Sequence, residues 1–273
     1  MEIMRCQAEG RIVLIGLPFD ENSSFLRGAA GAPPLVREAL FSDASNLWSE
    51  GGVDLAQPGL IGDAGDLAPA SGLDPFDTIE AAVRAVAAGG RRPIAIGGDH
   101  AVSYPVVCGL SASHRGLNIL HIDAHPDLYD EFQGSRRSHA CPFARIMESG
   151  LVRRLVQVGI RAMTGHQRVQ AARFGVEVHE MRGWSDDFSP EFVGPLHISV
   201  DIDGLDPAFA PGVSHREPGG LSVRQVLGLI QRLRADVVGA DIVEFNPRQD
   251  PSGMTAAVCA KIIKELAARM IAG

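Results

Sequence analysis

Carboxylates and imidazoles stand directly after three short apolar runs of the chain. The densest set is Asp123, His125 and Asp127, which follows the apolar run at residues 118–122. In an extended chain, residues two apart point to the same side, about 6.6 Å from each other along the strand, so these side chains are predicted to converge on one point. Carboxylate and imidazole together suit a divalent first-row cation. A single Asp-x-His-x-Asp segment is also compatible with a solvated turn.

Two further segments favour the metal interpretation. The run at 92–96 leads into two glycines, Asp99 and His100, and the glycines permit a tight turn that places His100 at the end of a strand. The run at 196–200 leads into Asp201 and Asp203, two carboxylates at i and i+2 that face one way. The resulting candidate ligands are His100, Asp123, His125, Asp127, Asp201 and Asp203.

This ligand set predicts a centre with two ions. Four carboxylates and two imidazoles exceed what one tetrahedral zinc ion uses. They fit two divalent ions about 3.5–4 Å apart that share bridging carboxylates. Such a pair can hold a shared water and lower its pKa enough to supply hydroxide near neutral pH, which is the nucleophile of a hydrolase.

Two other residues carry chemistry that suits a cationic substrate. Glu244 follows the apolar run at 237–243, where its carboxylate can pair bidentately with a planar guanidinium. A surface glutamate at the start of a loop is the alternative interpretation. His139 is the strongest candidate proton carrier, because an unperturbed imidazole titrates near pH 6.5 and can deliver a proton to an amine leaving group. The other histidines are assigned structural roles, among them His121 and His197 inside apolar strands.

The elements that must position these residues follow an alternating pattern. Short apolar runs, such as 11–17 and 155–160, alternate with segments of helical spacing, such as 256–271. Ser222 and Gln225 have the spacing of a capping box at the start of another helix. The alternation predicts an α/β fold with three α/β/α layers, a mostly parallel sheet and one domain over residues 1–273. Sites in such sheets form beyond the carboxyl ends of the strands.

Composition and charge narrow the class of partner and the compartment. The 273 residues are 45% apolar and 21% charged, which is typical of a soluble globular protein. The net charge of −8 argues against nucleic acid, because phosphate binding needs a basic face. No apolar run has membrane-spanning or signal-peptide length. The cysteines are far apart and form no CxxC pair, which predicts reduced thiols and a cytoplasmic location: Cys6, Cys108, Cys141 and Cys259.

Competing motifs receive less support. DIDGLD at 201–206 resembles the start of a calcium loop, but Gly212 stands at position 12, where a glutamate is needed. The chain has neither GxGxxG nor GxxxxGK[ST], so a dinucleotide or P-loop site is not indicated. GGDH and DAHPD are compatible with a metallophosphoesterase, although a GNH[DE] segment is lacking. A non-catalytic binding protein with the same fold is a further alternative.

The motifs taken together resemble the ureohydrolases, the arginase and agmatinase family. They are GGDH at 97–100, DAHPD at 123–127, SVDIDGLDPAFAPG at 199–212 and Glu244 in VEFNP, with PFD at 18–20 and RGA at 27–29 in the same order. The resemblance implies a three-layer α/β/α fold, two Mn²⁺ ions per subunit, and hydrolysis of a guanidino group to urea and an amine. It also implies a homotrimer or homohexamer.

The resemblance further implies a role for each candidate residue. Asp127 would orient the hydroxide, His139 would shuttle the proton, and Glu244 would receive the guanidinium of the substrate. Asp123 and Asp201 would bridge the two ions. One ion would be held by His100, Asp123, Asp127 and Asp201, and the other by His125, Asp123, Asp201 and Asp203.

Within the family, DAHPDLYD, SHACPFARIME and PGVSHREPGGLS are most similar to plant-type arginases and their bacterial relatives. Arginine is therefore the predicted substrate, with ornithine and urea as products. Tyr129 replaces an asparagine of the animal pattern, and GIRAMT at 159–164 replaces GLRDxD. Both changes remove groups that would hold the amino-acid end of arginine, which leaves agmatine and other guanidino acids as alternatives. Contributions of Cys141 and His215 to the site are left open.

Overall fold

A computed structural model describes residues 9–68 and 72–272. Its strands, in chain order, are β1 (Ile12–Gly16), β2 (Ile61–Asp66), β3 (Arg92–Ile96), β4 (Leu117–Ile122), β5 (Val152–Ile160), β6 (Glu177–Glu180), β7 (Pro195–Asp201) and β8 (Asp236–Val243). Its helices are α1 (Ala32–Leu40), α2 (Pro75–Ala88), α3 (Ser103–Ser111), α4 (Pro142–Ser149), α5 (Gly165–Phe174), α6 (Val223–Arg232) and α7 (Met254–Ala272).

The strands form a single sheet with helices on both faces. Its order is β2-β1-β3-β8-β7-β4-β5-β6, and each neighbouring pair is parallel. Helices α1, α6 and α7 pack together on one face, and α2, α3 and α4 pack together on the other. Alternate residues of β1 enter different cores, because successive side chains of a strand point to opposite faces: Ile12 and Leu14 to one, Val13 and Ile15 to the other. The predicted three-layer α/β/α fold is confirmed.

The topology brings distant parts of the sequence to one edge of the sheet. Strands β3, β8, β7 and β4 are neighbours at its centre. Their carboxyl ends lead into residues 97–100, Glu244, residues 201–203 and residues 123–127 respectively. Seven of the eight residues predicted to bind metal or act on the substrate therefore lie at or just after the carboxyl ends of four adjacent strands. The exception is His139. His139 lies just before α4, in the connection that follows β4.

Helix ends agree with the local sequence signals. Ser222 Oγ accepts a hydrogen bond from the backbone N–H of Gln225 at 3.2 Å, and the Gln225 side chain accepts from the N–H of Ser222 at 2.8 Å. This is the predicted capping box at the start of α6. Gly150 ends α4 with φ of +69°, a left-handed conformation that glycine adopts without steric cost.

Helix α3 is an element that the sequence pattern did not predict. Its residues include Val106, Val107 and Gly109, which have low helix propensity. Packing against α2 stabilises the helix instead. A Cβ atom at Gly109 would lie 2.7 Å from the backbone oxygen of Glu80, so glycine is required for the two helices to approach. Pro105 lies in the first turn, where the missing N–H costs least.

Among the described residues, no helix combines the length and the apolar character needed to cross a bilayer. Of the cysteines, Cys108, Cys141 and Cys259 are free thiols in this part of the chain. Cys6 and most of the N-terminal segment lie outside the described residues.

Candidate metal centre and adjoining cavity

One group of predicted ligands surrounds His100. Its Nδ1 atom lies 3.0 Å from a carboxylate oxygen of Asp127, 3.0 Å from one of Asp201 and 3.2 Å from one of Asp123. All four residues are buried. These atoms are close enough together to hold a single cation.

A second group shares Asp123 with the first. His125 Nδ1 lies 3.3 Å from a carboxylate oxygen of Asp203 and 3.4 Å from Oδ1 of Asp123. Asp201 lies beside this group, because its Oδ1 accepts from the backbone N–H of Asp203 at 2.8 Å. The spacing of Asp123, His125 and Asp127 predicted that their side chains converge on one point. The structure divides them, with Asp127 in the first group, His125 in the second and Asp123 in both.

The hydrogen bonding of His100 tests whether these residues fit a metal. Ser199 Oγ donates its only proton to Asp241 at 2.6 Å, so its oxygen accepts from Nε2–H of His100 at 3.0 Å. In the neutral ring, Nδ1 of His100 then carries a lone pair, and this buried atom has no hydrogen-bond partner among the described residues. A lone pair that faces three carboxylates is repelled by them unless a cation lies between. The donor set therefore fits a metal ion.

The charges of the cluster agree with this fit. Burial lowers the pKa of the His100 imidazole, but Asp123, Asp127 and Asp201 outweigh burial and raise this pKa well above its usual value. Burial, and then the neighbouring carboxylates, raise the pKa of Asp201 well above its usual value. Burial also raises the pKa of Asp203 to about 6, although His125 lowers it. Carboxylates this crowded stay ionised together only beside positive charge.

Two buried histidines orient the ligands, a role that the sequence analysis missed. Gln157 Nε2 donates to Nδ1 of His121 at 3.0 Å, so Nε2–H of His121 is free to donate to Asp123 at 2.7 Å. His197 Nε2 lies 2.7 Å from Asp241, the residue that also fixes Ser199. The sequence did contain a signal for this role. His121 precedes Asp123 by two residues and His197 precedes Asp201 by four, so each histidine lies on the same face of its strand as the ligand.

Replacing Ser199 with alanine is expected to weaken Mn²⁺ binding about 10–100-fold while the fold is kept. The reason is that Nε2 of His100 loses its acceptor, and the imidazole is no longer held in the tautomer that presents the Nδ1 lone pair. Competitive titration with a metal-sensitive chromophore measures the affinity. The exposed Ser113→Ala serves as the matched control. Equal Mn²⁺ affinity in the Ser199 variant and the parent would contradict the orienting role.

Glu244 is buried beside the cluster and paired with His139. Its Oε1 accepts from the backbone N–H of His100 at 2.9 Å and faces Nδ1 of His139 at 2.8 Å. Among the described residues, no side chain or backbone group donates to its Oε2. The alternative of a surface glutamate is therefore wrong, because Glu244 is only 4% exposed.

Two site residues have backbone conformations that residues other than glycine seldom adopt. The φ angle is +50° at Asp127 and +62° at Glu244. Glu244 is held in place by its N–H, which donates to the backbone oxygen of Gly98 at 2.8 Å. Gly98 itself must be glycine, because a Cβ atom there would lie 2.3 Å from the oxygen of Leu17. Strain of this kind is characteristic of functional sites and was not visible in the sequence.

The pair of His139 and Glu244 shifts the pKa of both groups. Burial lowers the pKa of His139, but the Glu244 carboxylate outweighs burial and raises the pKa to about 9. Burial raises the pKa of Glu244, and His139 outweighs it and lowers that pKa to about 2. Ser24 Oγ lies 2.7 Å from the other ring nitrogen, Nε2. This hydroxyl donates to the neutral ring and accepts from the cationic ring, so it contacts His139 in both protonation states.

Ser24 was not singled out from the sequence. It lies in the loop after β1, 115 residues from His139, and only the flanking PFD and RGA motifs mark that loop. The loop is fixed by Asn22, whose N–H donates to Asp99 at 2.7 Å and whose backbone oxygen accepts from His139 N–H at 3.1 Å. Asp99 is fully buried, and burial followed by Glu244 raises its pKa to about 7.

The two residues left open in the sequence analysis have different surroundings. The ring of His215 lies 5.3 Å from that of His139 and 5.9 Å from that of His125, between centroids, so it belongs to the site. Cys141 is buried, and burial raises the pKa of its thiol to about 12. A neutral, buried thiol is a poor nucleophile, so Cys141 has a packing role.

A cavity of about 230 Å³ opens onto the cluster and is lined by Asp127, His139, His215 and Glu244. The rest of its lining includes Tyr129, Phe132, Thr164, Gln167 and Glu217. Tyr129 stacks on His166 with centroids 5.5 Å apart and planes inclined by 11°. Tyr129 and Phe132 therefore give the cavity an aromatic wall.

The chain is similar to known proteins over nearly its full length. Residues 10–268 match the model of the Arginase family. Mitochondrial arginase 1 of Arabidopsis thaliana is 49% identical over 280 residues, which cover 96% of this chain and 82% of that protein. The arginase structure from Medicago truncatula has a TM-score of 0.88 and 44% identity, covering 97% of this chain and 88% of that one. A guanidinopropionase of Pseudomonas aeruginosa is 35% identical, with coverage of 94% and 85% respectively.

These relatives correct the predicted location. The cysteine pattern predicted the cytoplasm, but several plant arginases that match this chain are named as mitochondrial proteins. The cytoplasmic prediction is therefore wrong, and the relatives point to an organelle. Cysteine spacing failed because it reports only whether thiols are paired as disulfides.

Proposed function

The chain belongs to the arginase family, and from that premise we propose that it is a metal-dependent amidinohydrolase that converts L-arginine to L-ornithine and urea. The observation that carries the proposal is the unpartnered Nδ1 of His100, which faces three carboxylates beside a second imidazole and carboxylate group. Arginine is favoured over other guanidino compounds because plant relatives named arginase match at 44–49% identity, whereas the guanidinopropionase matches at 35%.

Two Mn²⁺ ions per chain are part of this proposal. A donor set richer in carboxylate than in imidazole suits Mn²⁺. When bound, such a pair would lower the pKa of water and so supply hydroxide near neutral pH. Asp123 and Asp201 would contact both ions. One ion would be held by His100, Asp123, Asp127 and Asp201, and the other by His125, Asp123, Asp201 and Asp203.

Glu244 would receive the guanidinium of the substrate. Its Oε1 already contacts His100 and His139, which leaves Oε2 for the planar N–H groups of the substrate. A carboxylate and a guanidinium form a short, charge-assisted contact, and burial of Glu244 keeps water from competing for it. The contact would fix the guanidino carbon beside the cluster and beside Asp127, which would orient the attacking water.

His139 would carry the proton to the leaving nitrogen. With a pKa raised to about 9, the imidazole is protonated at neutral pH and can act as the acid. The bond between the guanidino carbon and the δ-nitrogen breaks, the water oxygen remains in urea, and the δ-nitrogen takes the proton to become the amine of ornithine. Ser24 holds Nε2 of His139 and thereby keeps the ring oriented.

Urea release from a substrate panel tests the proposal. Mn²⁺-loaded protein is assayed with arginine, agmatine and 3-guanidinopropionate, and with a phosphoester as the control for a metallophosphoesterase. We expect arginine to have the highest kcat/KM, with two ions per chain by elemental analysis. Release of urea from none of the guanidines would overturn the proposal. A higher kcat/KM for agmatine than for arginine would mean that the protein is an agmatinase, which belongs to the same reaction class.

Assembly into a homotrimer or homohexamer is also proposed, on the resemblance alone. Size-exclusion chromatography coupled to light scattering measures the molar mass of the assembly and thus the number of chains in it. A monomer at all concentrations would contradict this part of the proposal.

A further inference from the structure

The proposed function leaves one question about this chain, which is how it would hold the amino-acid end of arginine. This end carries an α-carboxylate and an α-ammonium, whereas agmatine has only the amine. The lining of the cavity outside the metal cluster offers two groups that suit these charges, Gln167 and Glu217. The inference below rests on the proposed function.

Gln167 presents a donor to the cavity. The side chain is only 2% exposed, yet it lines the cavity. Its Oε1 accepts from the backbone N–H of Thr164 at 3.0 Å and from the Thr164 hydroxyl at 3.1 Å. Among the described residues, its Nε2 has no acceptor. Because the side chain lines the cavity and this Nε2 has no acceptor, its N–H groups are available to an acceptor on a ligand, such as a carboxylate.

The start of helix α5 lies at the same place. Thr164 is its N-cap, and Gly165 and His166 are its first residues, whose N–H groups have no acceptor within a helix. Helix N-termini carry partial positive charge and bind carboxylates. Thr164, the N-cap of α5, lines the cavity beside Gln167, so the Gln167 amide lies near the positive end of this helix.

Glu217 presents an acceptor to the same cavity. Its backbone oxygen accepts from the Arg161 guanidinium at 2.6 Å and 2.9 Å. Arg161 also donates to the backbone oxygen of Asp203 at 2.7 Å, which ties the Glu217 segment to the metal cluster. The Glu217 carboxylate has no ion pair or hydrogen bond with any described residue. Its position is fixed through the backbone while its charge is left for a cation.

We propose that Gln167, near the N-terminal end of α5, binds the α-carboxylate of arginine and that Glu217 binds its α-ammonium. The two groups complement the zwitterion, and the guanidinium at the other end reaches Glu244. In this arrangement the Gln167 amide, held by Thr164, and the Glu217 carboxylate recognise the amino-acid end of arginine.

Two isosteric variants separate the two contacts. Gln167→Glu keeps the oxygen that accepts from Thr164, so the cap of α5 is preserved, but it replaces the N–H₂ donor with negative charge. Glu217→Gln removes the charge and keeps the backbone oxygen that Arg161 holds. The substrates are arginine, with both end groups, agmatine, with the amine only, and 5-guanidinopentanoate, with the carboxylate only.

We expect a crossed pattern of effects on kcat/KM. Gln167→Glu lowers kcat/KM for arginine and 5-guanidinopentanoate by at least about 10-fold, the loss typical of a hydrogen bond to a charged group, and leaves agmatine within about 2-fold. Glu217→Gln lowers kcat/KM for arginine and agmatine by at least about 10-fold and spares 5-guanidinopentanoate. Mn²⁺ content and melting temperature stay at the parent values in both variants.

Other outcomes overturn the inference. Equal losses with all three substrates would mean that the residues only support the fold, and unchanged kinetics would mean that neither contacts the substrate. In both cases a parent protein that hydrolyses arginine keeps the proposed function intact. If the parent protein itself released no urea from any of the three substrates, the proposed function would be wrong. This inference would then be wrong as well.

Discussion

Replacing Asp123 with alanine is expected to lower Mn²⁺-supported urea release by at least about 1,000-fold. Asp123 is the carboxylate that the two groups share, with Oδ2 3.2 Å from Nδ1 of His100 and Oδ1 3.4 Å from Nδ1 of His125. Its loss removes a ligand from each proposed ion at once. The proposed reaction near neutral pH would need both ions to lower the pKa of water, and a centre that lacks a ligand to each ion would lose this effect.

The measurement is kcat with arginine together with metal content by elemental analysis. We expect fewer than two ions per chain in the variant. Asp123→Asn keeps the size and the hydrogen-bonding shape of the side chain, and it separates loss of the ligand charge from a failure to fold. Asp187→Ala, at an exposed position outside both groups, is the matched control. Retained turnover with two bound ions would contradict the shared position of Asp123.

The sequence predicted the ligands because their signal is local. Each follows a short apolar run, and parallel strands bring such ends to one edge. The same signal could not divide Asp123, His125 and Asp127 between two groups. That division requires the left-handed backbone at Asp127, which follows from its tertiary surroundings, such as the N–H of Phe143 that donates to its backbone oxygen at 3.2 Å.

Contacts between distant segments could not be predicted from the sequence. The bond of Ser24 to His139 joins residues 115 apart, and that of Ser199 to Asp241 joins residues 42 apart. Serine is a common residue, so the presence of Ser199 in the sequence says little about its role. The role becomes visible only when the fold places β7 beside β8 and thus Ser199 beside Asp241. Helix α3 was missed for a related reason, since its packing on α2 outweighs its low propensity.

Replacing His139 with asparagine is expected to lower kcat about 10²–10⁴-fold without changing metal content. General acid catalysis by a positioned side chain contributes a factor of this size. His139 lies outside both metal groups, and its Nδ1 faces Glu244 at 2.8 Å. Asparagine keeps a polar group beside Glu244 but has no proton to deliver to the leaving nitrogen. The half-buried His114→Asn is the matched control.

The dependence of the rate on pH distinguishes this role from a structural one. Burial lowers the pKa of His139 and Glu244 outweighs it, so the acid form is present below about pH 9 and is lost as pH rises through about 9. The parent kcat should therefore decline on the alkaline side near that pH, and the asparagine variant should lack this decline. Loss of Mn²⁺ in parallel with activity would instead show that His139 supports the metal centre. If kcat of the asparagine variant declined at the same alkaline pH as that of the parent, another group would be responsible for the titration. His139 would then not be the residue that transfers the proton.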